Sequence, residues 1–115
     1  MELSFHLMGP FNRPKKEQAA KVIKFNRFSL TFNGDKKLKS GHVIYLSISA
    51  GLHTLKELRA RVETCEPSGP NYRCQVKFVL ERPDNQPYTE AITILKALEQ
   101  AIPVSLRAPL HMQKA

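Results

Sequence analysis

Tryptophan is missing from this chain of 115 residues, and cysteine occurs only twice. A buried core therefore has to be built from phenylalanine, tyrosine and aliphatic side chains. Two cysteines, Cys65 and Cys74, are too few for a disulfide-rich scaffold or a four-ligand zinc site. They flank a predicted turn, and we expect two reduced thiols, at least one partly buried, with a redox switch as the alternative.

Long hydrophobic runs are also missing. No apolar stretch approaches the roughly 20 residues that a membrane helix needs. The first ten residues lack both the basic start and the unbroken apolar run of a signal peptide. The sequence therefore predicts a cytoplasmic protein with no membrane span, and its length fits one domain with a modest core.

Acidic residues are scarce: 10 stand against 18 lysines and arginines, which gives a formal net charge of +8. The excess is concentrated between Phe11 and Ser40, where nine basic residues face only Glu17 and Asp35. That segment should attract anions such as phosphate, nucleic acid, acidic lipid or an acidic protein face, unless it serves only solubility. The candidate residues for such a site are Arg13, Lys15, Lys16, Lys24, Asn26, Arg27 and Ser29.

The motifs of common enzyme classes do not occur either. There is no glycine-rich phosphate loop, no dinucleotide fingerprint and no zinc-protease motif. The four histidines, at positions 6, 42, 53 and 111, lie at no metal-ligand spacing. No serine has a base beside it in the sequence. The sequence therefore predicts a binding module without catalytic residues, cofactor or metal.

Alternating side chains are the strongest structural signal in the chain. They predict strands over residues 1–7, 20–32, 42–49, 55–65 and 72–80, with a kink near Asn26. The 55–65 segment has helical propensity, but Leu58, Ala60, Val62 and Thr64 alternate with charged residues, so we predict a strand. Asn33-Gly34 is a strong turn signal, and residues 67–70 are expected to form a four-residue hairpin turn.

One segment has helical spacing. Residues 88–101 place an apolar stripe on one face, with Asp84 or Asn85 as the cap and Pro103 as the stop. The predicted fold is mainly β: a small antiparallel barrel of five or six strands with one C-terminal helix. We divide the chain into an N-terminal strand and basic arm (1–19), a barrel plus helix (20–102), and a C-terminal tail (103–115). We expect residues 105–115 of this tail to fray.

This order of elements resembles the PilZ domain, a small bacterial β-barrel that binds cyclic di-GMP. The resemblance covers residues 22–101, about two thirds of the chain. Ser40–Ile48 is similar to the family's G-x-x-V-x-L-x-I strand. Leu58–Glu63 and Tyr72–Phe78 are similar to two further strands, each without the family's glycine. The resemblance implies a small β-barrel of five or six strands and a role in cyclic di-GMP signalling.

The family's nucleotide motifs are changed in this chain. The D/N-x-S-x-x-G motif falls on Lys24–Ser29, and all three signature residues differ. The R-x-x-x-R motif falls on Arg13–Glu17, which has one arginine and an acidic second position. The resemblance then implies a degenerate PilZ-like adaptor that acts through a protein partner in motility, pilus or secretion regulation.

Two alternatives stay open. The basic residues could bind cyclic di-GMP through a non-standard site, in which charge replaces the lost geometry. The chain could instead be a small basic barrel that binds single-stranded nucleic acid, with Phe25, Phe28, Phe32 and Tyr45 as a stacking surface among the cations. Against this second alternative, alternation places Phe28 and Phe32 on one strand face, as core residues would be.

Overall fold

The structure is a computed structural model that describes residues 1–7, 16–80 and 86–108. These residues form six β-strands, one α-helix and a short 3₁₀ turn. The elements are β1 (Glu2–His6), β2 (Gln18–Phe25), β3 (Ser29–Gly34), β4 (Val43–Ala50), β5 (His53–Ser68), β6 (Asn71–Phe78), α1 (Gln86–Ala101) and the turn Val104–Leu106.

The six strands form a closed antiparallel barrel in the order β1-β2-β3-β6-β5-β4. This confirms the predicted fold class of a small barrel with a C-terminal helix. β1 pairs with β2 on one side and with β4 on the other, so it closes the barrel. The sequence had assigned this strand to the separate 1–19 segment, but in the structure it is a wall of the barrel.

Alternation places every second side chain of a strand inside the barrel. Ile44, Leu46 and Ile48 of β4 are at most 1% exposed, whereas Val43 beside them is 38% exposed. Aromatic rings also pack against each other in the interior. The Phe5 and Phe32 ring centroids lie 5.3 Å apart, and those of Phe25 and Phe78 lie 5.9 Å apart.

β5 confirms the strand prediction for residues 55–65 and extends it to 16 residues. Leu58, Ala60 and Val62 point inward as expected. Thr64 does not: it is exposed, because a register shift between Val62 and Thr64 moves the alternation by one residue. A bulge of this kind depends on the partner strand, so the sequence of β5 alone does not show it.

The turns differ from expectation in size and position. Asn33 and Gly34 do not form a hairpin turn, since both are paired with β6 as the last residues of β3. The β5–β6 turn is also tighter than predicted. Ser68 pairs with Asn71, so only Gly69 and Pro70 lie between the strands, and Gly69 takes the positive φ of 61° that such a turn needs.

The C-terminal helix confirms the predicted segment and begins two residues earlier. Leu95, Leu98 and Ile102 are buried as part of the main core, and the helix packs on β5 and β4. The proposed caps, Asp84 and Asn85, lie outside the described residues, as does the side chain of Tyr88.

The first residues of the tail are bonded to the barrel, which corrects the expectation of fraying for residues 105–108. The backbone N–H of Ala108 donates to the carbonyl of Phe25 at 2.9 Å, and Arg107 forms a parallel bridge with Phe25. Residues 109–115 lie outside the described part. The C-terminal segment therefore reaches the end of β2, beside the predicted anion site.

Two neighbouring positions on β4 test the assignment of faces. Ile44→Ala should lower the free energy of unfolding by about 2–5 kcal/mol, because it leaves a cavity in the barrel. Val43→Ala, on the outer face, should change it by less than about 0.5 kcal/mol. Urea unfolding of both variants measures this, and equal losses would contradict the inward and outward assignment.

Candidate functional site

The predicted anion site falls mainly on the junction between β2 and β3. Lys24, Asn26, Arg27 and Ser29 lie there, at one end of the barrel. Arg13 and Lys15 lie outside the described residues, and Lys16 is exposed just before β2. The structure therefore brings four of the seven candidates together.

Asn26 forms the turn at this junction. Its side chain is fully buried, and its Oδ1 accepts hydrogen bonds from the backbone N–H groups of Phe28 at 2.8 Å and Ser29 at 2.9 Å. An asparagine side chain that bonds the backbone two or three residues later produces a sharp turn. This contact explains the kink predicted near Asn26, and it uses the Oδ1 oxygen inside the protein.

Arg27 is held by Glu99 of α1. The backbone N–H of Arg27 donates to Glu99 Oε2 at 2.8 Å, and its Nε donates to the same oxygen at 3.3 Å. Its Nη2 donates to Oε1 at 3.0 Å. Guanidinium and carboxylate thus meet in the two-pronged arrangement that gives the strongest charged hydrogen bonds.

The pKa values of this pair reflect the contact. Burial alone would raise the pKa of Glu99, but the hydrogen bonds and charge of Arg27, together with the charge of Arg107, bring it below the ordinary value. The hydrogen bond to Glu99 raises the pKa of Arg27, against the opposing effect of burial. Both groups are therefore charged at neutral pH.

Lys24 and Arg107 hold the C-terminal segment. Lys24 Nζ donates to the backbone carbonyl of Ser105 at 2.7 Å. Arg107 donates to the carbonyls of Ile102 at 3.2 Å and Gln100 at 3.1 Å, at the end of α1. The cations of the junction therefore bind the protein's own backbone and Glu99. The sequence did not reveal Glu99 or Arg107 as partners, because both are distant from Arg27 in the chain.

Comparison with known proteins adds no relative: neither the models of protein families nor the curated proteins give a match.

The predicted stacking surface does not form. Phe25 and Phe32 are completely buried in the core, and Tyr45 is half-buried. Among these four aromatic residues only Phe28 is largely accessible, at 38% exposure. Alternation predicts a core role for Phe28, Leu30 and Phe32 on one strand face, and burial confirms it for Leu30 and Phe32. It is wrong for Phe28, which precedes β3 at the junction and is exposed. A row of rings for successive bases is therefore absent from these positions.

A polar cluster that the sequence did not reveal crosses three strands. His6 of β1 stacks on Tyr45 of β4, with ring centroids 5.2 Å apart and planes at 11°. Its Nε2 lies 3.0 Å from a carboxylate oxygen of Glu57 in β5. Glu57 sits in a bulge with a positive φ of 57°, which turns its side chain toward His6.

This cluster does not have the geometry of a catalytic base. The second ring nitrogen of His6, Nδ1, is buried and makes no hydrogen bond within the described part of the chain. A general base has to reach the proton that it removes. We therefore interpret the cluster as a structural contact that fixes β1 across β4.

The two cysteines correct the expectation of reduced thiols. Cys65 and Cys74 are directly opposite each other in β5 and β6, with Cα atoms 4.1 Å apart, and they form a disulfide. Their flanking turn had suggested proximity, but direct pairing depends on the bulge at residue 63. Structural disulfides persist best in oxidising compartments, so this bond bears directly on the expected cytoplasmic location.

Residues 1–7, 16–80 and 86–108 contain no group of three or more histidine, cysteine or acidic side chains that could hold a metal ion. No helix in residues 86–108 is long and apolar enough to cross a membrane.

The Arg27–Glu99 contact predicts a pH-dependent stability. Because folding lowers the pKa of Glu99, its contribution is complete at neutral pH and is lost as the pH falls through the folded-state value. Glu99→Gln should cost about 1–3 kcal/mol at neutral pH, and this difference should shrink in acid. Urea unfolding across pH measures it. Glu63→Gln, an exposed carboxylate of β5, is the control, and the same pH response in both variants would contradict the assignment.

The disulfide predicts a thiol count and a loss on reduction. Protein purified without reductant should show no thiol reactive with Ellman's reagent, and unfolding with reduction should expose both cysteines. Reduction should lower the free energy of unfolding by about 2–3 kcal/mol, since the bond closes a short loop in the unfolded chain. The Cys65→Ala/Cys74→Ala variant should not respond to reductant. Two reactive thiols in the untreated protein would restore the original expectation.

Proposed function

We propose that this chain is a non-enzymatic, PilZ-like binding module that does not use cyclic di-GMP and acts through a protein partner. The roles that fit such a module are the regulation of motility, pili or secretion. A closed six-stranded barrel with a C-terminal helix agrees with this proposal. The main support for the proposal is that the polar groups of the β2–β3 junction, where the family's nucleotide motif falls, are bonded within the protein.

At that junction, the groups suited to a nucleotide are already bonded. The Arg27 guanidinium faces Glu99, and the Asn26 oxygen accepts two backbone N–H groups. Lys24 is bound to a backbone carbonyl. A dinucleotide phosphate would have to displace Glu99 from Arg27 and leave that carboxylate without its partner. Removing one member of a shielded ion pair is costly, so the junction favours an internal structural role.

The expected location of such a regulator is the cytoplasm, and this remains part of the proposal. The thiol count described above bears on it, because a disulfide in the freshly isolated protein favours an oxidising compartment. The proposal that the chain is not an enzyme is supported by the burial of His6, which is the only imidazole in its cluster with Tyr45 and Glu57.

Isothermal titration with cyclic di-GMP tests the proposal. We expect no binding tighter than about 10 µM for the unmodified protein. Glu99→Ala is the matched variant, because it frees Arg27 without removing any cation. Weak binding that appears only in this variant would support the role of Glu99 as the group that occupies the site.

Tight binding by the unmodified protein would overturn the proposal. If Arg13→Ala then weakened that binding, the non-standard basic site would take its place. An electrophoretic shift of a single-stranded oligonucleotide at two salt concentrations tests the nucleic-acid alternative. Salt-dependent binding of the oligonucleotide, without binding of an uncharged molecule of the same length, would favour that alternative.

A further inference from the structure

The outer face of the β5–β6 hairpin carries two rows of charge that are arranged differently. Near the turn, Arg73 lies opposite Glu66, so the paired charges have opposite sign. Four residues further along β6, Lys77 lies opposite Arg61, so two cations are direct neighbours. Opposite charges across a ladder stabilise a sheet, and like charges destabilise it. The second row is therefore unfavourable for the fold itself.

Nothing in the described chain compensates this pair of cations. Arg61 and Lys77 are both exposed, and neither side chain makes a hydrogen bond or an ion pair with the residues that the structure describes. Lys24 and Arg27, in contrast, are bound internally. Glu63, two residues from Arg61, lines the same shallow depression of about 420 Å³ but forms no ion pair with either cation.

The row continues onto β4 with an apolar residue. Val43 pairs with Arg61 and is 38% exposed, and Tyr45, next on the same face, pairs with Arg59. Side chains of paired residues in adjacent strands share a face. We call Val43, Tyr45, Arg61 and Lys77 the cationic strip. It combines two adjacent cations with accessible apolar surface, which suits an anionic group carried next to apolar ones.

We propose that the cationic strip binds a short acidic segment of a partner protein, one that carries carboxylates beside an apolar side chain. This names the partner chemistry of the function proposed above and rests on it. A carboxylate has two oxygens, so one group can accept hydrogen bonds from Arg61 and Lys77 together.

The surroundings of the strip favour a short peptide over nucleic acid. Glu63 and Glu66 follow Arg61 along β5, and Glu57 precedes it, all of them exposed. These carboxylates bound the strip at both ends and would repel a continuous phosphate backbone, which gains affinity from many cations in sequence. Stacking rings for successive bases are also absent from the strip, where Tyr45 is half-buried against His6.

Fluorescence anisotropy with a synthetic peptide tests this proposal. The probe is a fluorescein-labelled peptide with three glutamates between leucines, and its control has glutamine in place of glutamate. Arg61→Gln/Lys77→Gln should weaken binding of the glutamate peptide by about tenfold or more. Lys21→Gln/Arg73→Gln is the matched control, with the same charge change on outer strand positions, and should weaken it by less than about twofold.

Several results would overturn the proposal. These are equal weakening by both double variants, equal affinity for the glutamine peptide, and no binding of the glutamate peptide up to about 1 mM. A labelled oligothymidine is compared in the same assay. If it binds more tightly than the glutamate peptide and loses that binding in Arg61→Gln/Lys77→Gln, the ligand of the strip is nucleic acid and not a peptide. If neither the glutamate peptide nor cyclic di-GMP binds, this inference is wrong but the proposed function is not contradicted. Cyclic di-GMP binding would defeat the proposed function whatever the peptide does.

Stability provides an independent readout. Lys77→Glu places opposite charges across the ladder and should raise the urea midpoint while it abolishes peptide binding. Arg73→Glu, which places two glutamates opposite each other, should lower the midpoint. A lower midpoint for Lys77→Glu would mean that the cation pair serves the fold, and would contradict the binding role.

Discussion

The ladder between β1 and β4 is the contact on which the rest of the structure depends, because it closes the barrel. Five residue pairs, from Glu2–Ser49 to His6–Tyr45, join segments some forty residues apart in the chain. Bringing them together costs loop-closure entropy, and in return each strand gains neighbours on both sides. Because all six described strands are paired on both sides in the closed barrel, the barrel offers no strand edge for strand addition. The proposed recognition of a partner therefore uses side chains on the outer face.

The closed barrel also explains why some cations of the basic segment, residues 11–40, bond the protein itself and do not form a binding site. The end of β2, the turn at Asn26 and the end of α1 meet at one end of the barrel, where several polar groups need partners. Arg27 bonds Glu99, and Lys24 bonds the Ser105 carbonyl, so these cations join the helix and the C-terminal segment to the barrel. Part of the positive charge between residues 11 and 40 is therefore used to hold the fold together.

Period-two alternation carried most of the fold prediction, because inward positions of a barrel strand have to be apolar wherever the strand lies. It identified β4, β5 and β6, and it favoured a strand over a helix for residues 55–65. It failed where a neighbouring strand decides the outcome. Thr64 follows a bulge set by β6, and the Cys65–Cys74 bond depends on that same register. The candidate site was predicted at the level of charge, but Glu99 is brought to Arg27 only by the packing of α1, which no local pattern records.

The same register that pairs the cysteines also aligns the charges. Cys65–Cys74 is adjacent to the Glu66–Arg73 pair, and the ladder continues from there to Arg61–Lys77. The disulfide joins the two strands near the turn, and the ladder pairs Arg61 with Lys77 despite their repulsion. A rigid surface loses less conformational freedom on binding than a flexible one. If solubility were the only requirement, scattered cations would satisfy it without a like-charged pair. Two cations kept opposite each other by the β5–β6 register are better explained by an anion that comes from outside the chain.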